Sequence, residues 1–500
     1  MKLDLRPYAR TWRTVWLILP AALLLALVLG ALLGLQPMLL LPFAGLALVL
    51  GVLAGGAVVA RRALPGSNRW QPVALLVLWG LVVNVPTFLA FDPTGFSHNH
   101  GLFNAQSISR IAVFAIGAAL TFGFWVLWSR ERRTAPTAAT PLGAWLLFSL
   151  YLWYVVQAPL VSTGLSAALA IFRAMEWLVA FFLLFLVMRG QSLRGRTTFQ
   201  DRLRLVLPML LLMMGSSLLL LLVRPDMAYQ RSMVTGISRL VGPFTHPNLL
   251  AIVATMLFAY GLVSLSGWQR WLLSSATLAV VYFAYSRGGF VAFAATCAVG
   301  LFIALRGIVT RLLAVVSVLL AVVLASQVPA VSDGLSRFLS RGNEREGLST
   351  LSERTAVWQA AKIMMARSPL LGEGFIAGPK ELGDVMLRNR LSMNFAAPHA
   401  HNEFLQAQIS GGIIALLLSL AIHLRVFYLL AFRAQMNRRE AFFLWTVFVN
   451  VVSWGLLAPS LSYFLLLPGI LLGWLLLTLE GLSASPQRQP AHLTQIRWRR

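Results

Sequence analysis

The sequence predicts an all-α polytopic membrane protein, and three observations carry that prediction. Hydrophobic residues make up 58% of the 500 residues and charged ones only 11%. The mean hydropathy is +0.77. Apolar runs of about 18 residues or more, long enough to cross a bilayer, recur along the whole chain. A soluble domain carries roughly a quarter charged residues, so a soluble enzyme, a coiled coil and a disordered chain are excluded. The net charge of +25 comes from 41 basic and 16 acidic residues. In a membrane protein such an excess sits in short loops and sets orientation, so no nucleic-acid partner is expected. Apart from Lys2, Lys362 and Lys380, every basic residue is arginine. The single Cys297 excludes an intramolecular disulfide framework and a cysteine metal site.

Hydropathy places about fourteen spans, with twelve as the lower count. They fall near 14–35, 38–60, 73–91, 108–128, 142–160, 167–188, 205–223, 248–265, 271–285, 289–305, 312–329, 409–430, 441–458 and 461–479. Arginines gather in alternate connections: Arg61, Arg62 and Arg69, then Arg130, Arg132 and Arg133, then Arg189 to Arg204, then Arg270, Arg306 and Arg311, and Arg433 to Arg439. The connections 92–107 and 161–166 contain no basic residue. The positive-inside rule therefore predicts both termini in the cytoplasm. The chain divides into residues 1–329 with eleven spans, a long outer loop over 330–408, three spans over 409–479, and a basic cytoplasmic tail over 480–500.

Two outer segments are nevertheless basic. The segment 224–247 carries Arg224, Arg231 and Arg239, against the orientation signal, which suggests an anionic ligand on that face. The long loop carries nine basic residues, but long loops escape the rule. Within it, Thr350-Leu-Ser-Glu353 reads as a capping box and Ser368-Pro369 as a stop, which predicts a helix near 350–367. Arg354, Trp358, Ala361 and Met365 fall on one stripe of that helix, which would lie on the bundle. Arg173 and Glu176, three residues apart in a span, read as a local ion pair facing the interior.

Residues 271–305 would form a helix about 52 Å long if unbroken, against a hydrocarbon core of about 30 Å. The break falls at Ser286-Arg287-Gly288-Gly289, whose neighbours in sequence place it on the outer side. An arginine recessed there is either a snorkelling helix-end residue or an anion ligand whose planar fork suits phosphate oxygens. His98, His100, His246, His399 and His401 also fall outside, with His423 in a span and His492 in the tail. His98-Asn-His100 and His399-Ala-His401 are H-x-H pairs, too weak a signal to predict a metal. His401 stands at the mouth of the bundle, and an ordinary histidine is mostly neutral at pH 7 and able to accept a hydroxyl proton. The outer loops contain no D-x-D or similar acidic pair, so a transferase needing a divalent cation for a diphosphate is not expected. Arginines would then neutralise the leaving group, with no cofactor.

Together these motifs resemble the O-antigen ligase superfamily. The resemblance rests on Arg239-Leu-Val-Gly-Pro-Phe-Thr-His-Pro-Asn248, on Ser286-Arg287-Gly288, on Arg354 with Trp358 and Leu371-Gly-Glu-Gly-Phe375, and on His401-Asn402 with Gly412. The last fits a family pattern of His-Asn, nine residues and Gly, although Ala415 stands where the family carries Gly, Thr or Tyr. The resemblance implies a multi-pass protein of the bacterial inner membrane that works at the periplasmic face. It would transfer a glycan from undecaprenyl pyrophosphate to a sugar hydroxyl of lipid A–core, with inversion and without a metal. Arg287 and Arg239 would bind the pyrophosphate and His401 would be the catalytic base or acceptor-orienting residue. Arg354, His399, Asn402, His246, Asn248 and Arg224 are secondary candidates. A polymerase extending a lipid-linked O-antigen or exopolysaccharide shares this chemistry. A lipid-linked oligosaccharide flippase is the alternative of another class, though transporters tend to show repeats and midplane charges.

Overall fold

The computed structural model describes residues 141–162, 164–193, 198–231, 238–242, 246–305, 354–391, 399–434, 436–456, 458–462 and 467–484, with Phe114 and Ala118. The spans expected near 14–35, 38–60, 73–91 and 312–329, most of the one near 108–128, the pair His98 and His100, the capping box at 350–353 and most of the basic tail lie outside the described residues.

The described residues are helical almost throughout. Three helices open the bundle: α1 (Leu142–Val161), α2 (Gly164–Leu193) and α3 (Phe199–Val223). A short turn of helix, α4 (Pro225–Ala228), and a two-stranded antiparallel ribbon follow, β1 (Tyr229–Arg231) with β2 (Ser238–Leu240). Next come α5 (Pro247–Ser264), α6 (Gly267–Ala284) and α7 (Arg287–Ala304). Two helices of the long loop, α8 (Arg354–Arg367) and α9 (Ala377–Arg388), precede α10 (Glu403–Tyr428), which runs into a π-helical turn at Leu429–Arg433. Helices α11 (Arg438–Gly455) and α12 (Leu467–Ala484) close the bundle. Five described helices are long and apolar enough to cross a membrane. The predicted break at 286–289 is present, with Tyr285 left-handed at the end of α6 and Ser286 capping α7.

Lipid is as apolar as leucine, so burying apolar surface does little to hold such helices together; close packing and internal hydrogen bonds do that work. Gly469 and Gly473, four apart on α12, let its backbone approach the Trp177 and Phe181 rings of α2, where a Cβ would collide. Trp177 stacks in turn on Tyr151 of α1 at 4.9 Å. Polar ties cross the bundle at depth. Asn450 donates to Thr296 Oγ1 at 2.9 Å, Tyr151 to the Leu461 carbonyl at 2.8 Å, and Arg202 to the Met188 carbonyl at 2.7 Å. Glu480 accepts from the Gly143 amide at 2.8 Å and pairs with Arg425 at 3.2 Å. The expected Arg173–Glu176 ion pair is present at 2.9 Å, with the glutamate buried.

Above one end of the bundle, α8 and α9 form a small second core of Val357, Ala360, Ala361, Met364, Leu382, Val385 and Met386 with Ile409. The buried stripe of α8 corrects the expected one. Trp358 and Met365 are only half-buried at its edge, and the Trp358 indole donates to the Ala400 carbonyl at 3.1 Å.

Candidate active site

Three helices begin at this end: α5 after His246, α7 after Ser286 and α10 after Asn402. Each start is capped by the side chain before it. His246 Nδ1 accepts the Asn248 amide at 3.2 Å, Ser286 Oγ the Gly289 amide at 2.9 Å, and Asn402 Oδ1 the Phe404 and Leu405 amides at 2.9 and 3.1 Å. Helix starts carry partial positive charge, which favours an anion nearby. Ser286 joins two of these starts by donating to Asn248 Oδ1 at 2.6 Å. Arg287 is the first residue of α7.

The chain before α10 is held tightly. Ala400 is fixed at both ends, its amide donating to Gln406 Oε1 at 2.8 Å and its carbonyl accepting from Trp358. His401 follows with φ +51°, a left-handed conformation that costs a side-chain-bearing residue about 1–2 kcal/mol. Its amide donates to His399 Nδ1 at 3.2 Å, and the two imidazole centroids lie 4.1 Å apart. His246 sits on the Trp454 ring at 5.7 Å. Burial holds the His399 pKa well below the ordinary histidine value, helped by His401, His246 and Arg354. Those four residues, all singled out in the sequence, therefore share one electrostatic neighbourhood. Among the described residues, no group of three or more His, Cys, Asp or Glu side chains is arranged to hold a metal ion.

The arginines expected on the outer face divide. Arg239 lies on β2 opposite Gln230, and β2 packs on α6, the helix that leads into Ser286-Arg287. Its Nε is buried without a hydrogen-bond partner, and burial lowers its pKa. A buried donor left open is costly unless a ligand fills it. Arg224 is exposed and already engaged, donating through Nε and Nη2 to Asp226 at 3.2 and 2.9 Å. The structure gives it no part in the histidine group.

Sequence reasoning did not find Glu403. A glutamate just after an Asn cap reads as an ordinary first-turn acid, yet this carboxylate is fully buried. It accepts from the Ser460 and Leu461 amides at 2.5 and 2.9 Å and from the hydroxyls of Ser462, Ser460 and Ser419 at 2.7, 3.2 and 3.2 Å. It thus ties the segment before α12 to the residue two places after His401.

Helix α10 is broken at Gly411 and Gly412, whose dihedrals leave the helical region. The expected span near 409–430 therefore starts after the break, and Glu403–Ser410 is a separate arm. Several groups at the break find partners outside the helix. The carbonyls of Ile409, Ser410 and Gly411 accept from the Glu373 amide at 2.7 Å, Gln157 at 2.9 Å and Trp153 at 2.8 Å. The Ile413 amide donates to the Pro369 carbonyl at 3.0 Å. The Leu371-Gly-Glu-Gly-Phe375 segment lies across this turn, with Phe375 stacked on Tyr154 at 4.3 Å. Ala415 is buried beneath Gly411, so it fills a packing position.

Comparison with known families gives one match: residues 272–420 fit the model described as O-antigen ligase. The matched stretch holds Arg287, Arg354, His399, His401, Asn402 and Gly412, while Arg224, Arg239, His246 and Asn248 precede it. No curated protein matches the chain.

Proposed function

We propose, from the match of residues 272–420 to the O-antigen ligase model, that this chain transfers a glycan from undecaprenyl pyrophosphate to an acceptor sugar hydroxyl at the periplasmic face of the inner membrane. The acceptor hydroxyl oxygen attacks the anomeric carbon of the donor, and the bond from that carbon to the pyrophosphate breaks. His401 takes the hydroxyl proton or orients the hydroxyl, and the leaving pyrophosphate keeps the electron pair. Arg287 and Arg239 neutralise its charge with no metal ion, and attack from the opposite face inverts the anomeric centre. Arg354, His246, Asn248 and Asn402 shape the pocket.

The observation that carries this reading is the gathering of His401, His399, His246 and Arg354 at the end of the bundle where α7 begins with Arg287. Burial and the nearby Arg354 disfavour a proton on His399, which suits a group of histidines that handles a hydroxyl proton, while Arg287 and Arg239 serve the diphosphate.

Purified protein with a lipid-linked glycan tests it. Consumption of donor with a lipid A–core acceptor marks a ligase, and longer lipid-linked chains mark a polymerase. Arg287→Ala should weaken donor binding, and Arg287→Lys should rescue poorly because a point charge lacks the fork. His401→Ala should keep donor affinity within a few-fold while turnover falls by about 10²–10⁴-fold. If His401→Ala loses the donor and Arg287→Ala keeps it, the roles are reversed.

A further inference from the structure

We propose that His399 is a positioning residue for His401: its Nδ1 holds the His401 backbone in the left-handed conformation that aims the imidazole at the acceptor. The proposal rests on the reading of His401 given above.

Turns commonly use an Asn or Asp side chain to accept a backbone N–H two residues on. Here histidine takes that place twice, at His246 for the Asn248 amide and at His399 for the His401 amide, both at 3.2 Å. An imidazole that accepts through Nδ1 must carry its proton on Nε2, so this bond also selects the tautomer of His399. The surroundings keep the turn from relaxing. Ala400 is tied to Gln406 and Trp358, and Gln406 is itself held by Ser410 Oγ at 2.9 Å. On the other side Asn402 is committed to capping the arm. Between two fixed neighbours, His401 has a φ of +51°, and the bond from its amide to His399 Nδ1 anchors the peptide plane from which that torsion turns. Backbone strain that persists at a reacting residue is maintained by contacts of this kind.

The test uses the purified full-length protein with lipid-linked glycan donor and acceptor, and the variants His399→Ala, His399→Asn, His399→Gln and His401→Ala. Misplacing a reacting group by about 1 Å costs on the order of 10²-fold, so His399→Ala should lower turnover by about that factor. Donor KM and donor binding should stay within a few-fold of wild type. The Asn side chain can accept the same amide, so His399→Asn should recover turnover to within about tenfold of wild type. The longer Gln should not. Wild-type turnover in His399→Ala, or equal rescue by Gln and Asn, overturns the proposal, as does loss of donor binding in His399→Ala. Nitrogen NMR of histidine-labelled wild-type protein reads the same bond without a variant: a protonated Nδ1 on His399 also overturns it. Should His401→Ala remain active, the underlying role of His401 fails instead, whatever the His399 variants do.

Discussion

Glu403 and Ser419 are 16 positions apart in the sequence, and their side-chain oxygens meet at 3.2 Å. A straight helix would separate them by about 24 Å along its axis. The chain therefore doubles back between them, and the turn is made by Gly411 and Gly412. Glu403 and His401 lie at the free end of the returning arm. The arm explains the spacing of nine residues between Asn402 and Gly412: that is the length of helix needed to carry the histidine from the turn back into the bundle.

Gly412 should accordingly be intolerant of any side chain. Its φ is +66°, and a Cβ there would run into the Leu370 carbonyl. The Gly412→Ala variant should be destabilised by at least about 1–2 kcal/mol from the backbone term alone, with a larger loss from the collision. Turnover should fall with donor binding retained, since the change displaces the arm bearing His401. A fully active, equally stable Gly412→Ala protein would mean that the arm can reseat freely.

Transfer should survive chelation. The proposed leaving-group charge is met by Arg287 and Arg239, and the loops expected outside carry no D-x-D pair, Glu344-Arg-Glu346 being the nearest approach. Donor turnover measured with and without EDTA checks this. If EDTA abolishes transfer and a divalent ion restores it, the arginine account is wrong.

The sequence spoke clearly where one residue type does one job. Length and hydropathy set the helices, and the break within Ser286-Arg287-Gly288-Gly289 is where apolar length alone required it. The arm was not legible as such, because residues 409–430 remain apolar through the turn and hydropathy is blind to Gly411 and Gly412. The ribbon holding Arg239 also escaped notice, since strands of three residues carry too little alternation to register. Glu403 looked like routine helix chemistry, and only the fold brings Ser460, Leu461 and Ser462 to it. The buried stripe of α8 is Val357, Ala360, Ala361 and Met364, because this helix packs on α9 and Ile409, partners that helical periodicity alone could not name.

The two ends of the bundle should face opposite sides of the membrane. Asp226, beside the start of the ribbon, and Gln269, in the first turn of α6, are exposed at opposite ends. Trp268 and Trp271 flank Gln269-Arg270 and are exposed as interface aromatics are. After replacement of Cys297, a cysteine at position 226 should react with an impermeant thiol reagent in intact spheroplasts. One at position 269 should react only after the membrane is opened. The opposite pattern would put the histidine group in the cytoplasm and remove the lipid-linked donor at the periplasmic face as a substrate.

Acid should loosen the histidine group, and the sign follows from His399. Burial, with His401, His246 and Arg354 nearby, holds its folded pKa well below the ordinary value of 6.5. The unfolded chain then binds a proton that the folded site refuses, so stability rises with pH through that window. The contribution is complete above about pH 7 and is lost as pH falls below about 6.5, by at most about 1.4 kcal/mol per pH unit for one proton. The hydrogen bond works in the same direction, because a proton on Nδ1 would displace the His401 amide. Thermal unfolding of the detergent-solubilised protein at several pH values reads this, with His399→Asn as the control that cannot titrate. The wild type should lose more stability than the variant between pH 7 and pH 5. If both lose the same amount, or the wild type loses less, His399 is not the buried neutral imidazole whose Nδ1 holds the His401 amide.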